Sequence, residues 1–161
     1  MNNFSSIIKK FQKIYNNKKV YLHEPVFFGN EIKYLTEAID STFVSSVGPF
    51  VDRFEKDMAN FNNIKRSVAV VNGTSALQVC LRLVGVEKDD EVLTQALTFV
   101  ATSNSIKYLN ADPVYIDVDL DTMGLSPQAL ESYLNEFGEI RKKGTYNKKS
   151  GKRIAACLPM H

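Results

Sequence analysis

Two short runs of this chain hold residues whose types and spacing could do chemistry. The first is Asn72-Gly73-Thr74-Ser75, which follows the apolar run Val68–Val71 and precedes the apolar stretch that starts at Ala76. A helix beginning there presents unpaired N–H groups and the positive end of its dipole, and the Thr74 and Ser75 hydroxyls add donors. Gly73 lets a ligand approach the backbone closely. A phosphate monoester suits that arrangement. A plain helix cap at Thr74 or Ser75 suits the same residues and is their commoner use. The run is not a P-loop, because no Gly-Lys-Ser/Thr follows, and it is not a Gly-x-Gly-x-x-Gly dinucleotide fingerprint.

The second run is Leu97-Thr98-Phe99-Val100-Ala101-Thr102-Ser103-Asn104. It follows the next expected strand and so falls on the same carboxyl edge of a parallel sheet as Gly73, the edge where ligands bind in open α/β sheets. Phe99 there is placed to stack on a planar ring, or else to fill the core as an ordinary aromatic. Other groups point to less. Asp117, Asp119 and Asp121 have carboxylate spacing but no calcium-loop glycine or distal Glu, so they read as a solvated loop. His23 and His161 have no metal-ligand spacing. The basic run Arg141–Arg153 reads as a solvated face, with phosphate contact as the alternative.

Elements must hold these runs in place, and the hydrophobic period supplies them. Residues 1–20 carry Phe4, Ile7, Ile8, Phe11 and Ile14 at helical spacing. Residues 21–28 read as extended, with Pro25 interrupting. Asn30 is a candidate cap for a helix to Asp40 with Ile32, Leu35 and Ile39 facing inward. Ser45-Ser46-Val47-Gly48-Pro49 is a turn. The next helix sets Val51, Phe54, Met58 and Phe61 on one face. From there strands and helices alternate. Strands are expected at 67–71, 91–94, 113–118 and 154–158. Helices are expected at 75–84, 99–109 and, after the Ser126 cap and Pro127, up to Phe137, where Gly138 stops the last one. This order predicts a doubly wound, mostly parallel α/β sheet with helices on both faces. A buried parallel strand is normally followed by a covering helix. The chain instead ends at His161, so it is expected to be the N-terminal part of a longer protein.

Composition sets outer bounds. The 161 residues suffice for one compact domain with a real core. Hydrophobic residues make up 44% and charged residues 24%, as in an ordinary soluble domain. A net charge of +2 is too small to imply nucleic acid or a membrane surface. The two cysteines, Cys80 and Cys157, lie in apolar sequence and make neither a disulfide framework nor a zinc site. No apolar run is long enough to span a bilayer, and residues 1–20 lack a signal-peptide core. A cytoplasmic location is the expectation.

These runs, in order, resemble the DegT-type family of pyridoxal-phosphate (PLP) dependent sugar aminotransferases. The likeness covers about residues 20–161. Its landmarks are Glu24-Pro25, Gly29-Asn30-Glu31, Val44–Pro49, Phe54-Glu55, Val71–Leu77, Gly85-Val86, Asp90-Glu91-Val92, Leu97–Thr102, Pro113-Val114 and Asp117-Val118-Asp119. The insertion at 139–153 and Cys157–His161 look most like enzymes of bacterial nonulosonic (legionaminic-type) acid pathways. Gln95 stands where many members carry proline.

The resemblance implies a truncated fold-type I large domain: an N-terminal helical segment at 1–20 and a portion of the PLP-binding domain at 21–161. It implies a homodimer, with PLP phosphate held by Gly73, Thr74 and Ser75 and its ring stacked on Phe99. Ser46 and Gly48 would border the substrate or the partner subunit's site. It implies amino transfer from glutamate to a 4-keto-6-deoxy nucleotide sugar, in the making of cell-surface glycans or nonulosonic acids. The Schiff-base lysine would lie beyond His161, and this segment alone would be inactive. A sugar dehydratase of the same fold, with histidine for that lysine, and a non-catalytic truncated domain are the alternatives.

Overall fold

The computed structural model describes residues 4–16, 18–21 and 23–160. The parts of the expectations that fall on Met1, Asn2, Asn3, Asn17, Leu22 and His161 lie outside them. The chain divides into two compact units, residues 1–67 and 68–161.

The first unit is helical. Helix α1 spans Phe4–Ile14, α2 Glu31–Asp40 and α3 Pro49–Phe61. The 3.6-residue period foretells all three. Asn30 occupies the N-cap position of α2, but its side chain makes no capping bond. The Glu31 carboxylate instead accepts the Gly29 N–H at 2.8 Å. Helices α2 and α3 are joined through Tyr34 and Phe50, whose rings lie 5.5 Å apart with the Arg53 guanidinium over both. Gly48 caps α3 at φ +153°, and Pro49 occupies its first turn, where a missing N–H costs nothing. The expected burial does not follow the expected helices. Ile32, Leu35 and Ile39 of α2 are exposed, as are Phe54 and Phe61 of α3. An apolar stripe is buried only where another element covers it, and in α3 only Ala59 is buried.

The second unit holds the sheet. Helix α4 spans Gly73–Leu83, strand β1 Glu91–Gln95, α5 Val100–Lys107, β2 Asp112–Ile116 and α6 Pro127–Phe137. Strands β3 (Gly138–Arg141), β4 (Gly144–Asn147) and β5 (Arg153–Leu158) complete it. The strand order is β2-β1-β5-β4-β3. β2 and β5 run parallel to β1 on its two sides, so the expected parallel α/β core is present. β3 and β4 add an antiparallel hairpin that joins β5 at Ile154 and Arg153.

β1 lies between β2 and β5, and each of its five residues is buried. Val92, Leu81, Val86, Ile106, Leu109 and Ala111 form the core, with Ala155, Ala156 and Leu158 against it. A fully buried aliphatic side chain of this kind contributes about 1.5–3 kcal/mol. β1 also carries polar residues, and each is satisfied. Glu91 accepts from Ser150 Oγ at 2.6 Å and from Asn147 Nδ2 at 2.8 Å, and Asn147 Nδ2 also donates to Tyr133 at 3.0 Å. Burial, reinforced by the Glu91 charge, raises the Tyr133 phenol above its ordinary value. This network fastens the hairpin and the loop after it to β1.

Two sequence expectations are corrected here. Residues 67–71 form no strand, and Val68 and Val71 are exposed. β-branched composition alone does not make a strand; a neighbour must supply the ladder, and among the described residues none does. The basic run is not simply a solvated face either, because its first half folds into the β3–β4 hairpin. Lys142 and Lys143 form its two-residue turn, and Gly144 follows at φ +132°. Arg153 Nη2 donates to Asp90 Oδ2 at 2.6 Å and to the Gly85 carbonyl at 2.7 Å, while Lys152 pairs with Asp112. Those cations are spent on the protein itself. Cys80 and Cys157 are free and exposed, although their sequence neighbours are apolar. Among the described residues no helix is long and apolar enough to cross a membrane.

Candidate functional site

The candidate site begins at the first turn of α4. Asn72 is extended (φ −164°, ψ 171°) and caps the helix, its Oδ1 accepting the Ser75 N–H at 2.9 Å. The cap is therefore Asn72, not Thr74 or Ser75 as the residue types alone allowed. Asn is among the best capping residues, and the Asn-x-x-Ser spacing was the available signal. The consequence is chemical. With capping done by Asn72, the Gly73 and Thr74 N–H groups and the Thr74 and Ser75 hydroxyls have no hydrogen-bond partner among the described residues.

Gly73 is exposed, and a Cβ built on it would meet nothing within 4 Å. The first turn of α4 has no acidic residue to compete for the dipole's positive end. Available donors, room at Gly73, no competing carboxylate and a favourable dipole fit the ester dianion of a phosphate group.

Phe99 stands at the N-cap of α5 and is 78% exposed. It is not a core aromatic; its ring is free to cover a ligand. α5 is tied to α4 by Ser105, which is fully buried and donates from Oγ to the Ala101 carbonyl at 2.7 Å and the Thr74 carbonyl at 3.2 Å. Phe99 opens the same helix about 9 Å along its axis from Ser105, at 1.5 Å per residue. So the phosphate-seat candidates and the ring candidate belong to one packed pair of helices in the second unit. Ser46 and Gly48 belong to the first unit, in the bend before α3, where Ser46 is exposed and Gly48 buried.

Sequence reasoning passed over two residues here. Ser105 gave no signal, because a small polar residue in a helix is unremarkable until its partner is known. Gln95 was visible only as a replacement for proline. It is fully buried, and its amide makes three hydrogen bonds, to the Leu97 carbonyl (3.0 Å), the Met123 carbonyl (3.1 Å) and the Met160 N–H (3.2 Å). The carboxylates at 117–121 stay apart from this. Asp117 accepts the Val118 N–H at 2.8 Å, and backbone bonds between Asp119 and Gly124 and between Met123 and Asp119 close a turn.

Comparison with known proteins gives the family and the fold. Residues 28–140 match the model of the DegT/DnrJ/EryC1/StrS aminotransferase family. EpsN of Bacillus subtilis, named as a pyridoxal phosphate-dependent aminotransferase, is 42% identical over 132 residues, which are 82% of this chain and 33% of that protein. GDP-perosamine synthase of Escherichia coli O157:H7 is 36% identical, over 71% of this chain and 31% of its own length. A crystal structure of a DegT DnrJ EryC1 StrS aminotransferase from Brucella abortus superposes with a TM-score of 0.67 at 26% identity, covering 81% of this chain and 32% of that one. The chain thus spans about a third of the length of these relatives. By its matched motifs and its fold, this chain belongs to the DegT/DnrJ/EryC1/StrS aminotransferase family.

Proposed function

We propose that this chain supplies the phosphate seat and the ring-stacking face of a PLP-dependent aminotransferase acting on a keto sugar linked to a nucleotide. One observation carries the reading. Capping by Asn72 leaves two N–H groups and two hydroxyls of α4's first turn without a hydrogen-bond partner among the described residues, beside the open space at Gly73, in a helix packed against the one that Phe99 opens. The family, and relatives named for perosamine synthesis and for PLP dependence, support the choice of cofactor and of sugar substrate.

The work of this chain's residues is binding and orientation. The Gly73 and Thr74 N–H groups and the Thr74 and Ser75 hydroxyls hold the ester dianion. The helix end stabilises its charge without added cations. Phe99 covers one face of the ring and keeps water from it. Once bound, the cofactor supplies an electron sink for bond changes at the amino-bearing carbon. The donor is glutamate and the acceptor a 4-keto-6-deoxy nucleotide sugar, serving cell-surface glycan or nonulosonic acid synthesis. Ser46 and Gly48, in the first unit, are assigned to the substrate or to the partner subunit's site. The working protein is a cytoplasmic homodimer, and the lysine that joins the cofactor covalently lies outside this segment, which alone does not turn over substrate.

The test is a titration of full-length protein with PLP, followed by visible absorbance and equilibrium dialysis. Saturable binding that inorganic phosphate competes away is expected. Thr74→Ala removes one charge-assisted hydrogen bond, about 1.5–3 kcal/mol, and so weakens binding about tenfold or more. Absence of PLP binding by the wild type, or an unchanged affinity in the variant, overturns the assignment.

A further inference from the structure

Gln95 ends β1, and its three partners lie in three different connections. Leu97 belongs to the loop leaving β1, Met123 to the turn leaving β2, and Met160 to the segment leaving β5. These strands are the three parallel members of the sheet, so one amide joins all three exits at the carboxyl edge. Ligands of open α/β sheets bind outside that edge.

The amide is fully used. Both Nε2 hydrogens are donated to carbonyls and Oε1 accepts an N–H, with the side chain wholly out of water. The loop it grips is short and tight. Thr98 N–H returns to the Ala96 carbonyl at 3.0 Å, and Thr98 and Thr102 hydroxyls meet at 2.8 Å across the start of α5. Phe99 sits between these two fastenings with φ −66° and ψ 140°. Its ring is 78% exposed. Its direction comes from the backbone, and the backbone is set by the Leu97 carbonyl that Gln95 holds.

We infer that Gln95 is a positioning residue that aims Phe99 at the cofactor ring. This rests on the PLP assignment above and deepens it. Gln95 touches neither cofactor nor substrate; it acts through the 96–98 loop. A polar bridge suits this duty better than an apolar side chain of equal size, which would fill the space without fixing the carbonyls. An error of about 1 Å in a positioned group can cost about a hundredfold in rate.

The experiment uses the full-length holoenzyme. Gln95→Met keeps the length and removes all three bonds; Gln95→Glu keeps the Met160 acceptor and turns a carboxylate on two carbonyls. Thr94→Val, next to Gln95 in β1, deletes the bond from Thr94 Oγ1 to the Leu158 carbonyl of β5 and serves as the stability control. Visible circular dichroism of bound PLP reports the ring's asymmetric surroundings, and dialysis reports its affinity. Both Gln95 variants are expected to lose much of the dichroic band while the control keeps it, with kcat falling about tenfold or more at nearly constant KM. If wild type binds no PLP, the cofactor assignment itself fails. If wild type binds PLP and the Gln95 variants keep the wild-type band, differing only in melting temperature as Thr94→Val does, the inference is overturned. The same holds if neither variant folds to a cofactor-binding protein, since Gln95 is then a folding residue alone.

Discussion

The Ser105 hydroxyl donates to the Thr74 carbonyl oxygen at 3.2 Å, joining the end of one helix to the opening turn of another across 31 positions of sequence. The same hydroxyl donates to the Ala101 carbonyl at 2.7 Å, so a single proton is shared between the two acceptors. Because Ser105 is fully buried, no solvent replaces it freely. Ser105→Ala is expected to lower unfolding free energy by about 1 kcal/mol. Urea unfolding of the full-length protein without cofactor measures it. A midpoint equal to wild type would mean the two carbonyls are served well enough without the hydroxyl.

Gly73 separates a stability effect from a binding effect. Its φ is not positive and a Cβ would meet nothing within 4 Å, so Gly73→Ala fits the folded chain. Replacing Gly by Ala at a compatible position stabilises by about 0.4–1 kcal/mol through the unfolded state. The new methyl group would occupy the space above the first turn of α4 where a phosphate must sit. The expected result is a melting temperature equal to or above wild type, together with weaker PLP binding. Unchanged PLP affinity would place the phosphate elsewhere.

Phe99 gives the complementary case. Its ring is 78% exposed, and surface truncations of that kind change stability by less than about 0.5 kcal/mol. Phe99→Leu should therefore melt like wild type, while bound PLP loses the stacked face and dissociates more readily. Quenching of protein fluorescence by added cofactor follows the affinity. A variant that melts far below wild type would return Phe99 to an ordinary packing role.

Gly48 tests the first unit. It sits at φ +153°, a region L side chains rarely adopt, and a Cβ there would lie 3.0 Å from Phe43 Cβ. Gly48→Ala is expected to cost about 1–3 kcal/mol. Helical circular dichroism during thermal unfolding measures the loss. Because Gly48 opens α3, a variant with wild-type melting would show that the bend can relax without harm.

What the sequence made legible follows from how locally each feature is determined. Helix spans came through because a 3.6-residue period and a cap such as Ser126, whose Oγ accepts the Ala129 N–H, are written within a few residues. The parallel core came through because β5 is dense in apolar residues and strands alternate with helices along the chain. The strand expected at 67–71 did not form, since pairing is a property of two segments and only one was in view. The β3–β4 hairpin stayed hidden because its lysines and glycines read as loop. Its pairing with β5 and the Asn147–Glu91–Ser150 bonds supply what composition withholds. At the site, the residue types of Gly73, Thr74, Ser75 and Phe99 were readable. Asn72 as the true cap, Ser105 as the tie and Gln95 as the bridge needed distances.

The pairing of Asp90 with Arg153 predicts a pH dependence whose sign can be worked out. Burial alone would raise the Asp90 carboxyl. The Arg153 hydrogen bond, the Glu87 N–H at 2.7 Å and the Arg153 charge outweigh it and hold Asp90 below its ordinary value. Near the ordinary carboxylate pKa of about 4, the unfolded chain then binds more protons than the folded one, so stability rises with pH through that region. The contribution is fully present above pH about 4 and is lost as pH falls through the lowered folded value. Asp90→Asn removes the charge that Arg153 serves and should cost about 1.5–3 kcal/mol at neutral pH. It should also flatten the dependence of the urea midpoint on pH below about 4, leaving the slope set by the other carboxylates. Measuring that midpoint at a series of pH values for both proteins decides the matter. Parallel curves would mean that Asp90 titrates alike in the folded and unfolded chains and that the Arg153 pair adds no pH-linked stability.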